Sequence, residues 1–97
     1  MLYDLIIIGA GPAGITAAVY SARKRLNFTV ISKDIGGQTA LSGAIENYTG
    51  YQFITGIDLT QKFEEHIKQF SVDLKEAEEV TDVRRAGDIL KVITDKA

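Results

Sequence analysis

The stretch "LIIIGAGPAGITAA", Leu5 to Ala18, decides how the rest of the chain is read. Its first half belongs to a short, nearly continuous apolar run, Tyr3 to Ile8, that stops at a glycine. Such a run predicts a strand buried on both faces, of the kind found in the middle of a parallel sheet. A helical pattern begins just after Pro12. Ile15, Ala18, Val19, Ala22 and Leu26 recur at spacings of three and four and form one apolar stripe. Tyr20, Arg23, Lys24 and Arg25 occupy the other face, where the basic residues suit the negative end of the helix. Asn27 is expected to close it, and "FTVIS", Phe28 to Ser32, reads as a second strand. Strand, helix and strand at this spacing make a βαβ unit with a right-handed crossover.

Gly9, Gly11 and Gly14 sit at the junction with G-x-G-x-x-G spacing. The spacing alone is a weak signal; a buried strand before it and an amphipathic helix after it make it credible. Each glycine then has a task. Gly9 permits the tight turn, Gly11 lets the backbone approach a pyrophosphate, and Gly14 allows helix and strand to pack closely. Pro12 falls at the first helical position, where its missing N–H costs nothing. The helix N-terminus presents free amides and partial positive charge to phosphate oxygens. A carboxylate is expected about 20 residues on to hold a ribose hydroxyl. Asp34 has that offset but stands two residues past the expected strand end. It reads equally as a ligand and as an exposed loop residue. Ser32 could bond the ribose instead, and Lys33 could meet a phosphate.

Outward from this unit, Lys33 to Gly56 is irregular and rich in Gly, Ser and Thr, with Leu41, Ile45, Tyr48, Tyr51, Phe53 and Ile54 as apolar anchors. A loop of this length inside a compact domain is usually functional or disordered, and these anchors argue against disorder. A second helix follows, with Asp58 as its expected cap and Leu59, Phe63, Ile67 and Phe70 as its buried face. Glu64 and Lys68 form a favourable i,i+4 pair on its exposed side. Val72 to Leu74 predicts a third parallel strand. Glu79 to Arg85 and Ile89 to Thr94 flank "AGD" as an antiparallel hairpin. The expected fold class is therefore α/β: a Rossmann-like βαβ domain with parallel strands, two helices and a C-terminal antiparallel β-hairpin.

The totals narrow the functions open to it. Ninety-seven residues, 45% hydrophobic and 25% charged, suffice for one small domain. A net charge of −2 gives no electrostatic reason to expect nucleic acid or an anionic membrane as partner. No apolar run approaches the ~20 residues of a membrane span, and no basic stretch followed by a long apolar one suggests a secretory signal. A cytoplasmic location is the expectation. With no cysteine and the single His66, thiolate metal sites and dithiol chemistry within this chain are excluded, and no metal site is expected. Redox chemistry here would belong to a bound cofactor.

Two later motifs sharpen the reading. "DIGGQT", Asp34 to Thr39, and "IENYTG", Ile45 to Gly50, follow "GAGPAG" in an order that resembles the FAD-binding domain of the low-molecular-weight thioredoxin reductases. The flavoprotein subunits of alkyl hydroperoxide reductase share the pattern. The resemblance runs from Tyr3 to Thr94. It implies that Gly9, Gly11, Pro12 and Ala13 meet the FAD pyrophosphate, with Gly14 shaping the loop. It also implies that Gly36, Gly37 and Gln38 line the ribityl and flavin side, that Asn47 bonds near the flavin, and that the backbone around Val80 meets the adenine. The residues themselves agree as far as they speak. Gly36-Gly37 suits close approach of backbone to a ligand, more than the plain turn that Gly-Gly also marks; Gln38 and Asn47 carry both donors and acceptors. Asn47 also suits a local Asx-turn. Glu46 reads as a solvated carboxylate, His66 as a boundary residue, and Tyr48 and Tyr51 as loop anchors.

Complete members of that family are longer, with an inserted NADPH-binding domain that carries a Cys-x-x-Cys centre. Residues 1–97 are thus expected to be the N-terminal part of an FAD-binding domain, without the NAD(P)H domain or the C-terminal half of the FAD domain. The implied parent passes electrons from NAD(P)H through FAD to a disulfide or related acceptor, and this segment contains no catalytic side chain. The alternative is a non-catalytic assembly module, either a split half needing a complementary chain or a self-associating remnant. The exposed edge of the hairpin would serve such pairing. A free-standing NAD-binding module would leave "GGQT" and "IENYTG" without a role.

Overall fold

The structure, a computed structural model, describes residues 2–96, and of Gln38 the backbone alone. The central sheet has three parallel strands: β1 (Leu5–Ala10), β2 (Phe28–Ile35) and β5 (Asp73–Lys75), in the order β1-β2-β5. Helix α1 (Pro12–Arg23) makes the crossover from β1 to β2, and α3 (Gly56–Lys68) precedes β5. Between β2 and α3 lie a short helix α2 (Gln38–Leu41) and a two-residue antiparallel pair, β3 (Ala44–Ile45) with β4 (Ile54–Thr55). The hairpin of β6 (Val80–Ala86) and β7 (Ile89–Thr94) ends the fold, and Gly87 turns it with φ +66°.

One core sits between the sheet and the two longer helices. Ile7, Ala10, Phe28 and Val30 from the strands meet Ile15 and Ala18 of α1 and Ile67 of α3, with Ala22, Ile35, Phe63, Val72 and Leu74 packed around them. Ile7 pairs with Val30, and Val30 with Leu74, so these side chains share the sheet face that both helices cover. On the opposite face Ile8 is 53% exposed. The expectation that β1 is buried on both faces is therefore corrected: β1 is an edge strand with both helices on one side of it. The radius of gyration, 14.6 Å, exceeds the ~13 Å of a compact 100-residue domain, in keeping with a half-open sheet and a projecting hairpin.

Local boundaries differ from the sequence reading for identifiable reasons. Helix α1 stops at Arg23 and not at Asn27, because Arg25 turns left-handed (φ +56°) and leaves Leu26 exposed. The cap of α3 is Thr55, whose hydroxyl accepts from the Asp58 N–H (3.1 Å); Asp58 sits in the first turn. Leu41 is no anchor, being 86% exposed, and Phe53 is exposed as well. The Glu64–Lys68 pair forms as expected (2.7 Å). The hairpin forms within one residue of its expected limits, and the third strand does the same. No helix among the described residues is long and apolar enough to cross a membrane.

Candidate functional site

The end of β1 is where the chain becomes unusual. Ile8 lies opposite Ile31, yet Ala10 lies opposite Ile35, so the ladder between β1 and β2 is interrupted and β2 bulges by two extra residues. Ser32 occupies the bulge. Its side chain is 6% exposed; the Oγ accepts from the Ala10 N–H (3.1 Å) and donates to the Asp34 carbonyl. The Ser32 hydroxyl is thus turned inward and bonded within the protein. Lys33 and Asp34 are exposed on the bulge, and Asp34 falls within β2 and not beyond its end.

The bulge carries β2 forward until the Gly36 N–H reaches the Ala10 carbonyl (2.8 Å). Two glycine turns therefore stand side by side at the C-terminal ends of adjacent parallel strands, the position where open α/β sheets hold ligands. Gly9 has φ +101° and Gly36 φ +93°, conformations that only glycine adopts easily. A Cβ at Gly9 would meet nothing within 4 Å, and one at Gly11 only the Gly36 carbonyl oxygen at 3.9 Å. A Cβ at Gly37 would in turn lie 3.9 Å from the Gly11 Cα. At Gly14 the reverse holds: a Cβ would fall 1.9 Å from the Gly9 carbonyl oxygen, so α1 rests directly on the turn.

Helix α1 opens on this cradle. Gly11 is its N-cap and makes no side-chain cap, Pro12 is at its first position, and the first turn carries no acidic residue. The Ile15 N–H bonds the Gly11 carbonyl (2.9 Å), which leaves the Ala13 and Gly14 amides ahead of the helical ladder and directed out of its end. The electrostatics favour an anion. Gln38 begins α2 immediately after Gly37; its side chain lies outside the described residues.

The remaining expected residues belong to other segments. Asn47 belongs to an exposed loop that walls a shallow concavity of about 490 Å³ with Glu46, Tyr48 and Tyr51, and no residue of the glycine turns lines it. Tyr48 anchors this loop to α3 through Phe63, their ring centroids 6.0 Å apart. His66 is exposed beside Phe70, in the groove between α1 and α3. Val80 opens β6 two residues after Glu78, whose N–H bonds the Ser32 carbonyl (3.1 Å) and brings the hairpin to the bulge. Among the described residues, no group of three or more His, Cys, Asp or Glu could hold a metal ion. The structure thus brings Gly9, Gly11, Pro12, Ala13, Gly14, Gly36 and Gly37 together. Sequence reasoning missed Thr60, a residue of α3 that packs against Gly36.

A glycine loop between a parallel strand and a helix N-terminus, with a second glycine turn docked on it, defines a Rossmann-like dinucleotide-binding domain. The pyridine nucleotide-disulphide oxidoreductase family model matches residues 3–97, and the chain belongs to that family. It is 49% identical over 73 residues to the thioredoxin reductase of Bacillus subtilis, covering 74% of this chain and 23% of that protein. It is 40% identical over 86 residues to a 34.2 kDa protein in the rubredoxin operon of Clostridium pasteurianum, covering 88% of this chain and 28% of that one. Among solved structures, Lactococcus lactis thioredoxin reductase superposes with a TM-score of 0.92 at 38% identity, covering 99% of this chain and 32% of the other. The chain therefore spans between about a quarter and a third of the length of these relatives. Its parallel sheet and antiparallel hairpin are those of thioredoxin reductases.

Proposed function

We propose that this chain forms the pyrophosphate-binding part of an FAD site in a thioredoxin-reductase-like oxidoreductase. The observation that carries the reading is the pair of facing glycine turns. Cβ-sized space at Gly9 and Gly11 opens beside the α1 N-terminus, where backbone can approach a diphosphate without steric cost. The residues present fit the cofactor on this test. The Ala13 and Gly14 amides and the α1 dipole would hold the pyrophosphate, and the Gly36-Gly37 turn would meet the ribityl side, with Gln38 following it. Asp34, exposed at the bulge, is the residue for the ribose. Asn47 and the backbone at Val80 would complete the flavin and adenine ends.

FAD, when bound, supplies a reversible two-electron carrier between NAD(P)H and a disulfide or related acceptor. The protein's part is to bind and orient it. With no cysteine in the chain, the acceptor disulfide belongs to another segment or another molecule. A second role is favoured by one observation: β1 is an unpaired edge with Leu5 and Ile8 exposed, suited to adding a strand from a complementary chain or a second copy.

Titration of the purified protein with FAD, followed by quenching of flavin fluorescence, tests the proposal. Saturable quenching that ADP competes away is expected. Gly11→Ala should leave the fold intact, its nearest neighbour being 3.9 Å away, yet weaken FAD by about tenfold or more by blocking the diphosphate. A protein that ignores FAD but forms a defined oligomer would favour the assembly role and overturn the flavin one.

A further inference from the structure

Helix α3 contributes a side chain to the back of the glycine turns. Thr60 Oγ1 and Cγ2 both lie 2.5 Å from where a Cβ on Gly36 would be, so the threonine fills the space that glycine leaves. Its hydroxyl oxygen is shut off from solvent and has no hydrogen-bond partner, the one such side-chain atom among the described residues. A hydroxyl within a helix ordinarily returns its hydrogen to the carbonyl four residues back. Both such residues of α1 do so: Thr16 bonds the Pro12 carbonyl (2.7 Å) and Ser21 the Ala17 carbonyl (2.8 Å). Thr60 has the Gly56 carbonyl at the same offset and does not use it. It packs instead against the Gly36 turn, where its hydroxyl stays an unsatisfied buried group.

We propose that Thr60 is a positioning residue for FAD: through its hydroxyl, α3 sets the Gly36-Gly37 turn at the depth the cofactor requires. The role rests on the flavin reading above. The Gly36 N–H is held by Ala10 and both glycine carbonyls accept from α2, so the hydroxyl takes its hydrogen bond from the Gly37 N–H when that turn closes on FAD, and the binding step repays a cost carried by the free protein. A residue that merely packs would behave differently. Replacing an orphaned hydroxyl by a methyl of the same shape is neutral or stabilising in the free fold, whereas the closed turn would lose its tie.

The test compares the unaltered chain with Thr60→Val and Thr60→Ser, measuring FAD affinity by flavin fluorescence quenching and thermal unfolding without FAD. Thr60→Val is expected to hold or raise the unfolding midpoint while weakening FAD about fivefold, the effect of one neutral hydrogen bond. Thr60→Ser keeps the hydroxyl and should bind FAD within about twofold of the unaltered chain. FAD affinity unchanged in Thr60→Val overturns the positioning role and leaves the flavin site standing. So does a lowered midpoint in Thr60→Val with affinity loss that Thr60→Ser fails to rescue, since that pattern is packing alone. Absence of saturable FAD quenching by the unaltered chain is a separate result, which overturns the flavin reading and this role with it.

Discussion

Replacing Gly14 by alanine sets two physical effects against each other. Gly14 lies in the first turn of α1, where helix propensity alone favours alanine by about 1 kcal/mol. The packing says the opposite. The new Cβ would stand 1.9 Å from the Gly9 carbonyl oxygen, 2.9 Å from the Gly9 carbonyl carbon and 3.7 Å from Ile7 Cγ2. The first two are backbone atoms, so no rotamer change relieves them, and α1 must withdraw by more than about 1 Å to restore ordinary contact. Withdrawal loosens Ile15 and Ala18, which are 3% and 0% exposed and seat the helix on the sheet. Overpacking of this kind costs roughly 1–3 kcal/mol, and a loosened core edge adds about 1. After the propensity gain, a net loss of about 1–3 kcal/mol remains. For a domain of this size the midpoint should fall by roughly 5–20 °C. Thermal unfolding followed by far-UV circular dichroism measures it, with Gly43→Ala as control because a Cβ there meets nothing within 4 Å. A midpoint for Gly14→Ala unchanged or raised would refute the close-packing argument.

Other changes isolate other parts of the fold. Ser32→Ala strands the Ala10 N–H inside the bulge and should cost about 1–3 kcal/mol, read from the urea midpoint. Thr55→Ala removes the cap of α3 and should cost about 1 kcal/mol, whereas Asp58→Ala should cost less, since only its interaction with the helix dipole is lost. At the other end of the sheet, the Lys75 ammonium (2.9 Å) and the Tyr3 hydroxyl (2.8 Å) bond the Asp73 carboxylate and hold its pKa below the ordinary value. Because the folded value is depressed, this stabilisation is present above about pH 4 and fades as pH falls through the folded pKa. Asp73→Asn should flatten the acid limb of urea midpoints measured from pH 6 to pH 3. The effect will be small, for the carboxylate is partly exposed.

The βαβ unit, the glycine loop and the hairpin were legible because each follows from local pattern: an apolar run, a 3.6-residue stripe, a glycine turn between alternating strands. What the sequence concealed was relational. Nothing in "FTVISKDI" announces that β2 slips by two residues against β1, since a bulge is defined by its partner strand. Nor does a hydroxyl at a strand end announce the neighbours it will bond, which for Ser32 are the Ala10 N–H and the Asp34 carbonyl. The apparent double-sided burial of β1 misled for a similar reason. Ile6 and Ile8 report hydrophobicity and not the presence of a covering layer, and Ile8 is open. Gly56 passed unnoticed although a Cβ there would strike the Thr39 and Ser42 carbonyl oxygens at 2.1 and 2.2 Å, because a glycine before a helix also reads as a mere boundary. Thr60 gave no signal at all, its significance lying in Gly36, twenty-four positions earlier.

The slipped register has a consequence for how this chain can vary in length. Opposite the two steps from Ile8 to Ala10, β2 takes four, and the surplus delivers Gly36 to the Ala10 carbonyl. Deleting one residue between Ile31 and Gly36 would pull the second turn back by about 3.3 Å and reverse which side of the strand it faces. An insertion would overshoot by the same step. The segment from Ser32 to Ile35 therefore acts as a gauge of fixed count, whose letters are freer than their number. The exposed stretch from Thr49 to Gln52, beyond Asn47 and the Tyr48 anchor, is under no such metering. Natural or engineered length changes should accumulate there and spare the last four residues of the central strand, which lead into its glycines.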